Sequence, residues 1–400
     1  IRMESRRAAV FEAAREVVDR VAMLKLASGR TAEALEYLDR GRASLAPVGR
    51  IDSAGVDHSV AAPAQVALEY ALVADTLLAW TVAGPRVEVF RAAVDTVRLV
   101  RTIEHLRQQL EKPGGEAELR PGLSQLYEWL IRPVESRLGG AGNPVVIITD
   151  GHLAAIPFAA LYDARRKRYL VEKHPLRFAV SLREARRQTR RPRVSESALF
   201  VSDPAFDPAE NAQFARLKEA AHEVREIASG YPRSRVLSGE EAHGAAFRAA
   251  LGWAGMVHYA GHAVFEDERP EHSYLLLAPT PGRAGVATLA ASEIAQMDLR
   301  HLSLVVLAAC QTVRTGPGRA AGFSGLAGAF LAAGAGGVVG SLWEVDDRLA
   351  RSLMIEFHRA YRSSRNGAGA LREAQLRLLR SDDATLRSPS AWAGFRYVGS

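Results

Sequence analysis

Four hundred residues, 48% hydrophobic and 24% charged, give an ordinary globular composition, with chain enough for two or three domains or one large domain with an appendage. The net charge of +7 is carried by 47 Arg and only five Lys spread along the whole chain, a compositional bias rather than a nucleic-acid-binding stripe. The single cysteine excludes an intramolecular disulfide framework and a multi-thiolate zinc site and makes a cytoplasmic setting the default, while no apolar run reaches the roughly 18 to 20 residues that would span a bilayer.

The chain opens Ile1-Arg2-Met3-Glu4, which lacks a basic-then-apolar signal and reads as the start of a fragment. Residues 5–45 carry apolar side chains at helical spacing (Val10, Ala14, Val17, Val21, Leu24). Gly29 breaks the pattern, and Thr31 is placed to cap a second helix over Ala32–Ser44. A helical pair of this size suits a remnant of a helical-repeat array, assigned to residues 1–48. The Gly-, Pro- and Ser-rich stretch to Pro63 reads as a linker. Strand-like runs over Val66–Val73, Thr76–Ala83 and Arg86–Phe90 follow, then helices over Val94–Glu111 and Leu123–Leu138. Together these suggest a small α/β subdomain over 64–143.

From Pro144 the pattern becomes short apolar runs alternating with helices. The runs are Val145–Ile148, Ala198–Val201, Met256–Tyr259, Leu275–Leu277, Leu304–Leu307 and Val338–Leu342. Strands without polar alternation are what a parallel sheet covered on both faces requires, so residues 144–400 read as an α/β core with a mostly parallel sheet flanked by helices. The basic run Arg183–Arg193 has no interleaved aromatics and reads as an exposed connection.

Functional residues in open α/β sheets gather beyond the carboxyl ends of strands. Two runs here end in a reactive side chain: Met256–Gly261 leads into His262, and Leu304–Ala309 leads into Cys310. As parallel neighbours these strands would bring the two side chains to one edge of the sheet. An imidazole there can deprotonate the thiol or hold the thiolate as an ion pair. The bland alternative is that Cys310 is a small core residue.

The stretches around these residues resemble the CHAT family of caspase-like cysteine proteases. His258-Tyr-Ala-Gly-His262 resembles its histidine motif, and Leu304 to Thr312 its cysteine motif. Gly322 to Ala335 and Val338 to Asp347 resemble its most characteristic block. Asp150-Gly151 with Ile156–Leu161, Val201-Ser-Asp-Pro204 and Trp392-Ala-Gly-Phe395 also fit, so the resemblance covers roughly residues 65–400. It implies a caspase-like fold and a protease acting through a Cys/His dyad without metal or organic cofactor. Cys310 would be the nucleophile and His262 the base, with the backbone N–H groups of Cys310 and Ala263 as the oxyanion hole. The family is frequently fused to helical repeats, which suits the N-terminal helices and suggests regulation by a protein partner, in bacterial defence or signalling.

Asp203, at a strand end, is a candidate to line the pocket for a basic substrate residue, against the alternative of a turn carboxylate before Pro204. Trp343 is a candidate pocket wall, against simple packing. Asp346 and Asp347 precede a helix and read as caps, against the alternative of a role in shaping the active-site loop. His258 and His262 are four residues apart on a strand, about 13 Å, too far to chelate one metal together. Three departures from the family pattern, Ala263 and Val313 for the usual Gly and Gln311 for Glu, favour the alternative of a catalytically inactive docking module. Ala263 would matter most if its backbone φ were positive.

Overall fold

The computed structural model describes residues 16–45, 65–112, 115–149, 151–186, 196–206, 214, 216–266, 269–283, 285–309, 312–313 and 325–399. Cys310, Gln311 and Asp150 lie outside the described residues, as do the first 15 residues, the linker 46–64 and the basic stretch 187–195.

Among the described residues, sixteen strands form in chain order: β1 (Val66–Val73), β2 (Thr76–Ala83), β3 (Arg86–Ala93), β4 (Val145–Ile148), β5 (Tyr162–Asp163), β6 (Arg168–Tyr169), β7 (Leu176–Phe178), β8 (Ser197–Pro204), β9 (Arg233–Gly239), β10 (Met256–Ala260), β11 (Ala263–Val264), β12 (Tyr274–Leu277), β13 (Ala287–Ala290), β14 (Leu304–Ala308), β15 (Gly337–Ser341) and β16 (Phe395–Gly399). Eleven join one sheet in the order β3-β2-β1-β4-β7-β16-β15-β14-β10-β8-β9. Seven of its ten neighbouring pairs are parallel. The exceptions are the β1–β2–β3 meander and the β15–β16 pair. β1 pairs in parallel with β4, so the segment 64–143 extends the core's own sheet.

The uninterrupted apolar runs are explained by burial on both faces. Every residue of β4, β10 and β15 is buried, and β14 is buried through Leu307. Strand side chains alternate between faces. From β10, His258 turns toward the helices Lys218–Ala228 and Asp347–Ser364, while Tyr259 turns the other way, toward β12. Leu275–Leu277 is a strand, but it sits in a separate antiparallel sheet, β11-β12-β13, that follows directly from the His262 turn.

At the other end of the sheet, the N-terminal helices (16–27 and Thr31–Leu45, turned at Gly29) lie on one face of β1, β2 and β4. Leu26, Leu35 and Leu38 pack there with Leu78, Trp80, Val146 and Ile148. Asp39 is buried, and its carboxylate accepts the backbone N–H groups of Leu182 (2.5 Å) and Arg183 (3.3 Å), capping the short helix Leu182–Arg186. The helical pair is thereby latched to the core by a buried charge-assisted contact. Among the described residues, no helix is long and apolar enough to cross a membrane.

Candidate functional site

β10 and β14 are adjacent and parallel, in register from Met256 opposite Leu304 to Ala260 opposite Ala308. His262 follows Ala260 by two residues, as Cys310 follows Ala308 in the sequence. Each strand end is fixed by its own set of contacts.

The His262 end is held through its backbone. The carbonyl of His262 accepts the hydroxyl of Tyr259 at 2.8 Å and the N–H of Leu276 at 3.0 Å. The same hydroxyl is 2.5 Å from the carbonyl of Leu276, so Tyr259 ties the end of β10 to β12. The Tyr259 ring lies beneath Gly261, where an added Cβ would come within 2.6 Å of ring atoms. Only glycine fits, because that space is filled by the residue that pins the histidine. The partly buried imidazole of His262 meets the ring of Phe214 (centroids 5.2 Å apart) and that of Phe206 (6.2 Å). Ala263 lies in β11, paired with Leu275, and is not among the residues with positive φ. The methyl at this position therefore adds no backbone strain.

The other strand end is held by Ser341, a residue the sequence did not single out. Its hydroxyl donates to the carbonyl of Ala309 at 2.6 Å, its N–H donates to Thr312 Oγ1 at 3.0 Å, and its carbonyl accepts the N–H of Val313 at 3.0 Å. Ser341 thus grips the chain on both sides of positions 310 and 311. Gly340 makes the approach possible, because a Cβ there would sit 2.6 Å from Thr312 Oγ1 and 2.7 Å from Val313 Cγ1. A glycine-serine pair at the end of an apolar strand is a weak signal, and its meaning depends on which loop lies against it.

Asp203 is the penultimate residue of β8, with φ of 41°. Its carboxylate is already engaged. Oδ2 pairs with Arg216 at 2.6–2.8 Å and Oδ1 accepts the N–H of Leu217 at 3.0 Å. Burial of Asp203 contrasts with Arg216, half of whose side chain is exposed. Trp343 is packed away from solvent (1% exposed), with Gly394 directly against its indole. The indole here is core packing, not an open wall.

Asp346 caps the helix Asp347–Ser364 through the N–H groups of Arg348 and Leu349. Asp347 starts that helix, and its carboxyl is pushed up to about 6. Desolvation is the main cause, followed by the negative charges of Asp346 and Glu223, with His262 acting in the opposite sense. A carboxyl group with a raised pKa therefore stands in the field of His262, at a position that sequence reading gives to helix capping or to shaping the active-site loop. No group of three or more metal-ligating side chains occurs among the described residues.

A mostly parallel sheet flanked by helices, with His262 just beyond the carboxyl end of β10 beside the parallel β14, defines a caspase-like α/β protein. The CHAT domain matches residues 120–400, and the chain belongs to that family. Tetratricopeptide repeat protein 28 of Homo sapiens is 27% identical over 333 aligned residues, covering 70% of this chain and 13% of that protein. The Mus musculus counterpart is 26% identical over the same shares. The chain thus spans about an eighth of the length of these curated relatives. Among solved structures, the Saccharomyces cerevisiae separase–securin complex is similar, with a TM-score of 0.59 at 9% identity over 84% of this chain and 30% of that one. Gingipain R, an Arg-specific cysteine proteinase, aligns with a TM-score of 0.45 at 10% identity, over 76% of this chain and 74% of that one. At these identities the likeness to separase is one of fold.

Proposed function

We propose that the chain is a cysteine endopeptidase in which Cys310 attacks the substrate carbonyl and His262 is its base. The observation that supports this reading is the parallel register of β10 and β14, whose paired ends, Ala260 and Ala308, each precede a motif residue by two positions in the sequence. The thiolate forms the new C–S bond, and the negative charge on the carbonyl oxygen is met by the backbone N–H groups of Cys310 and Ala263. His262 delivers the proton to the leaving amine. Water then adds to the thioester, giving the acid and restoring the thiol.

Asp203 is proposed to receive a basic substrate side chain. Arg216 marks how a guanidinium fits that carboxylate, and an incoming Arg or Lys would take its place. The helical pair latched by Asp39 is the proposed route by which a protein partner acts on the core. A non-catalytic docking module is the second reading, favoured by relatives named for tetratricopeptide repeats rather than for proteolysis.

Cleavage of a peptide library with Arg, Lys and neutral residues at the cut site tests the assignment. Hydrolysis lost in both Cys310→Ala and His262→Ala supports it. Hydrolysis that persists in Cys310→Ala sinks it.

A further inference from the structure

The eleven-stranded sheet has two edges, β3 and β9, and their charges are disposed differently. At β3, Arg86 pairs with Glu88 at 2.6 Å, Glu88 also pairs with Arg137, and Arg91 donates to the carbonyl of Leu26 at 2.9 Å. The charges of that edge are engaged within the molecule.

The β9 edge is open. The strand pairs in parallel with β8 alone, and Arg233, Ser234, Arg235, Val236 and Ser238 are all exposed. Glu240 and Glu241 stand exposed in the turn that follows. Among the described residues, none of these two arginines and two glutamates forms an ion pair.

A free strand edge presents N–H and C=O groups that can pair with another extended chain. Charges of one sign along the edge would repel a second copy. Here the signs are separated by position. The strand begins with Arg233 and Arg235, and the turn at its far end, opened by Gly239 (φ 57°), carries Glu240 and Glu241. Antiparallel pairing of two such strands sets the basic end of each against the acidic end of the other, whereas parallel pairing sets like against like.

We propose that β9 is a self-complementary edge through which two copies of this chain pair antiparallel about a two-fold axis at Leu237. In that register Val236 stands opposite Ser238 of the second copy, and Arg233 and Arg235 reach toward its Glu240–Glu241 turn. Val236, 40% exposed in the single chain, lies diagonal to the second Val236 and is covered by it. The two sheets become continuous across β9. Since β10, β8 and β9 are mutually parallel, the carboxyl ends of the two β10 strands point in opposite directions, and each His262 site stays within its own chain. The pairing therefore stands apart from the peptidase reading. Seven residues of edge bury less surface than a permanent dimer needs, so the association is reversible and salt-sensitive.

The test is sedimentation equilibrium of the whole chain at about 100 μM and low ionic strength. The expected result is a dimer that dissociates as salt is added. Arg233→Glu with Arg235→Glu should weaken it about tenfold or more, and Glu240→Arg with Glu241→Arg should do the same. An equimolar mixture of the two reversed proteins should associate again, because one edge is then acidic and the other basic. All four side chains are exposed, and circular dichroism confirms that the reversed proteins keep the fold. A monomer at every concentration, or a dimer that neither reversal weakens, overturns the proposal. The register has its own measurement, made with Cys310→Ala so that no other thiol is present. Val236→Cys with Ser238→Cys should give a disulfide-linked dimer in oxidised glutathione, and Val236→Cys alone should not, since diagonal positions are too far apart to bridge. No covalent dimer from the double variant overturns the two-fold at Leu237.

Discussion

The hydroxyl of Tyr259 lies 2.8 Å from the carbonyl oxygen of His262, so a residue three positions earlier on β10 holds the backbone of the proposed base. Tyr259 is fully buried and its ring closes the space beneath Gly261. Strand, turn and histidine therefore form one unit, with the aromatic ring as its floor. Tyr259→Phe keeps the floor and removes the hydroxyl. The expected cost is about 1 kcal/mol in stability. A loss of about tenfold in kcat should accompany it, with KM little changed, because a looser imidazole impairs the chemical step rather than binding. Steady-state kinetics at a temperature where both proteins are fully folded check this.

Gly261→Ala should be worse for folding than Tyr259→Phe. Its Cβ would meet the Tyr259 ring at 2.6 Å, and overpacking of this kind costs about 1–3 kcal/mol. Urea unfolding of the single variant and of Gly261→Ala with Tyr259→Leu checks the cause. Much of the loss should be recovered in the double variant, where the ring is gone.

Ser341→Ala removes the hydroxyl that grips the Ala309 carbonyl and leaves the backbone contacts with Thr312 and Val313 in place. The loop that carries position 310 should loosen on one side only. Thiol reactivity of Cys310 toward a small alkylating agent should rise through greater access, whereas peptide-directed labelling should fall by about tenfold, since the latter depends on positioning. Parallel changes in both rates would mean that Ser341 does not orient the loop.

The raised pKa of Asp347 has a consequence for stability whose sign can be measured. Its carboxyl titrates at about 6 when folded and near 3.8 in the absence of these neighbours. Between these values the folded chain holds the proton more tightly, so stability falls as pH rises from about 4 through 6. Partial exposure of the group limits the effect to about 1–2 kcal/mol. Asp347→Asn should be neutral at pH 4 and stabilising by that amount at pH 8, in denaturant titrations at the two pH values.

Asp39→Ala leaves the N–H groups of Leu182 and Arg183 without their buried acceptor. Breaking a buried contact to a charged group costs about 1.5–3 kcal/mol. Local unfolding should concentrate the loss in residues 16–45, read as faster amide hydrogen exchange there while β10 and β14 stay protected. Equal acceleration throughout would show that the helices and the core unfold together.

The elements easiest to read from sequence were those whose local pattern matches their surroundings. β1, β2 and β4 begin and end where their apolar runs do, because burial on both faces leaves no ambiguity of period. The edge strand β9 was missed because Arg233, Ser234 and Arg235 are exposed and carry no core signal. β16 was missed as a strand because buried Arg396 breaks its apolar run. That charge is accommodated over the face of Phe178 and against the carbonyl of Ala154, contacts no local pattern reveals. The expected helix over Leu123–Leu138 is two elements, an α-helix from Glu116 to Leu130 and a 3-10 turn from Arg132. Pro133 cannot donate the N–H that would continue the α-helical ladder.

Around the site, local motifs point to His262 because the apolar strand leads straight into it. Tyr259 was visible inside the same motif, but its hydroxyl contact depends on Leu276, which lies beyond the turn. Ser341 and the His258–His358 pair depend on partners 29 to 100 residues away in sequence. Their roles come from tertiary packing, which spacing alone does not encode.

The central claim is that Cys310 and His262 work as a pair, and it is tested most directly by mass spectrometry of the chain after reaction with peptidyl acyloxymethyl ketones that vary in the residue at the cut site. The account predicts a covalent adduct on Cys310, favoured by Arg or Lys at that position, lost in His262→Ala and reduced in Ser341→Ala. Equal labelling of Cys310 in wild type and His262→Ala, or no labelling with any of the peptides, would contradict it.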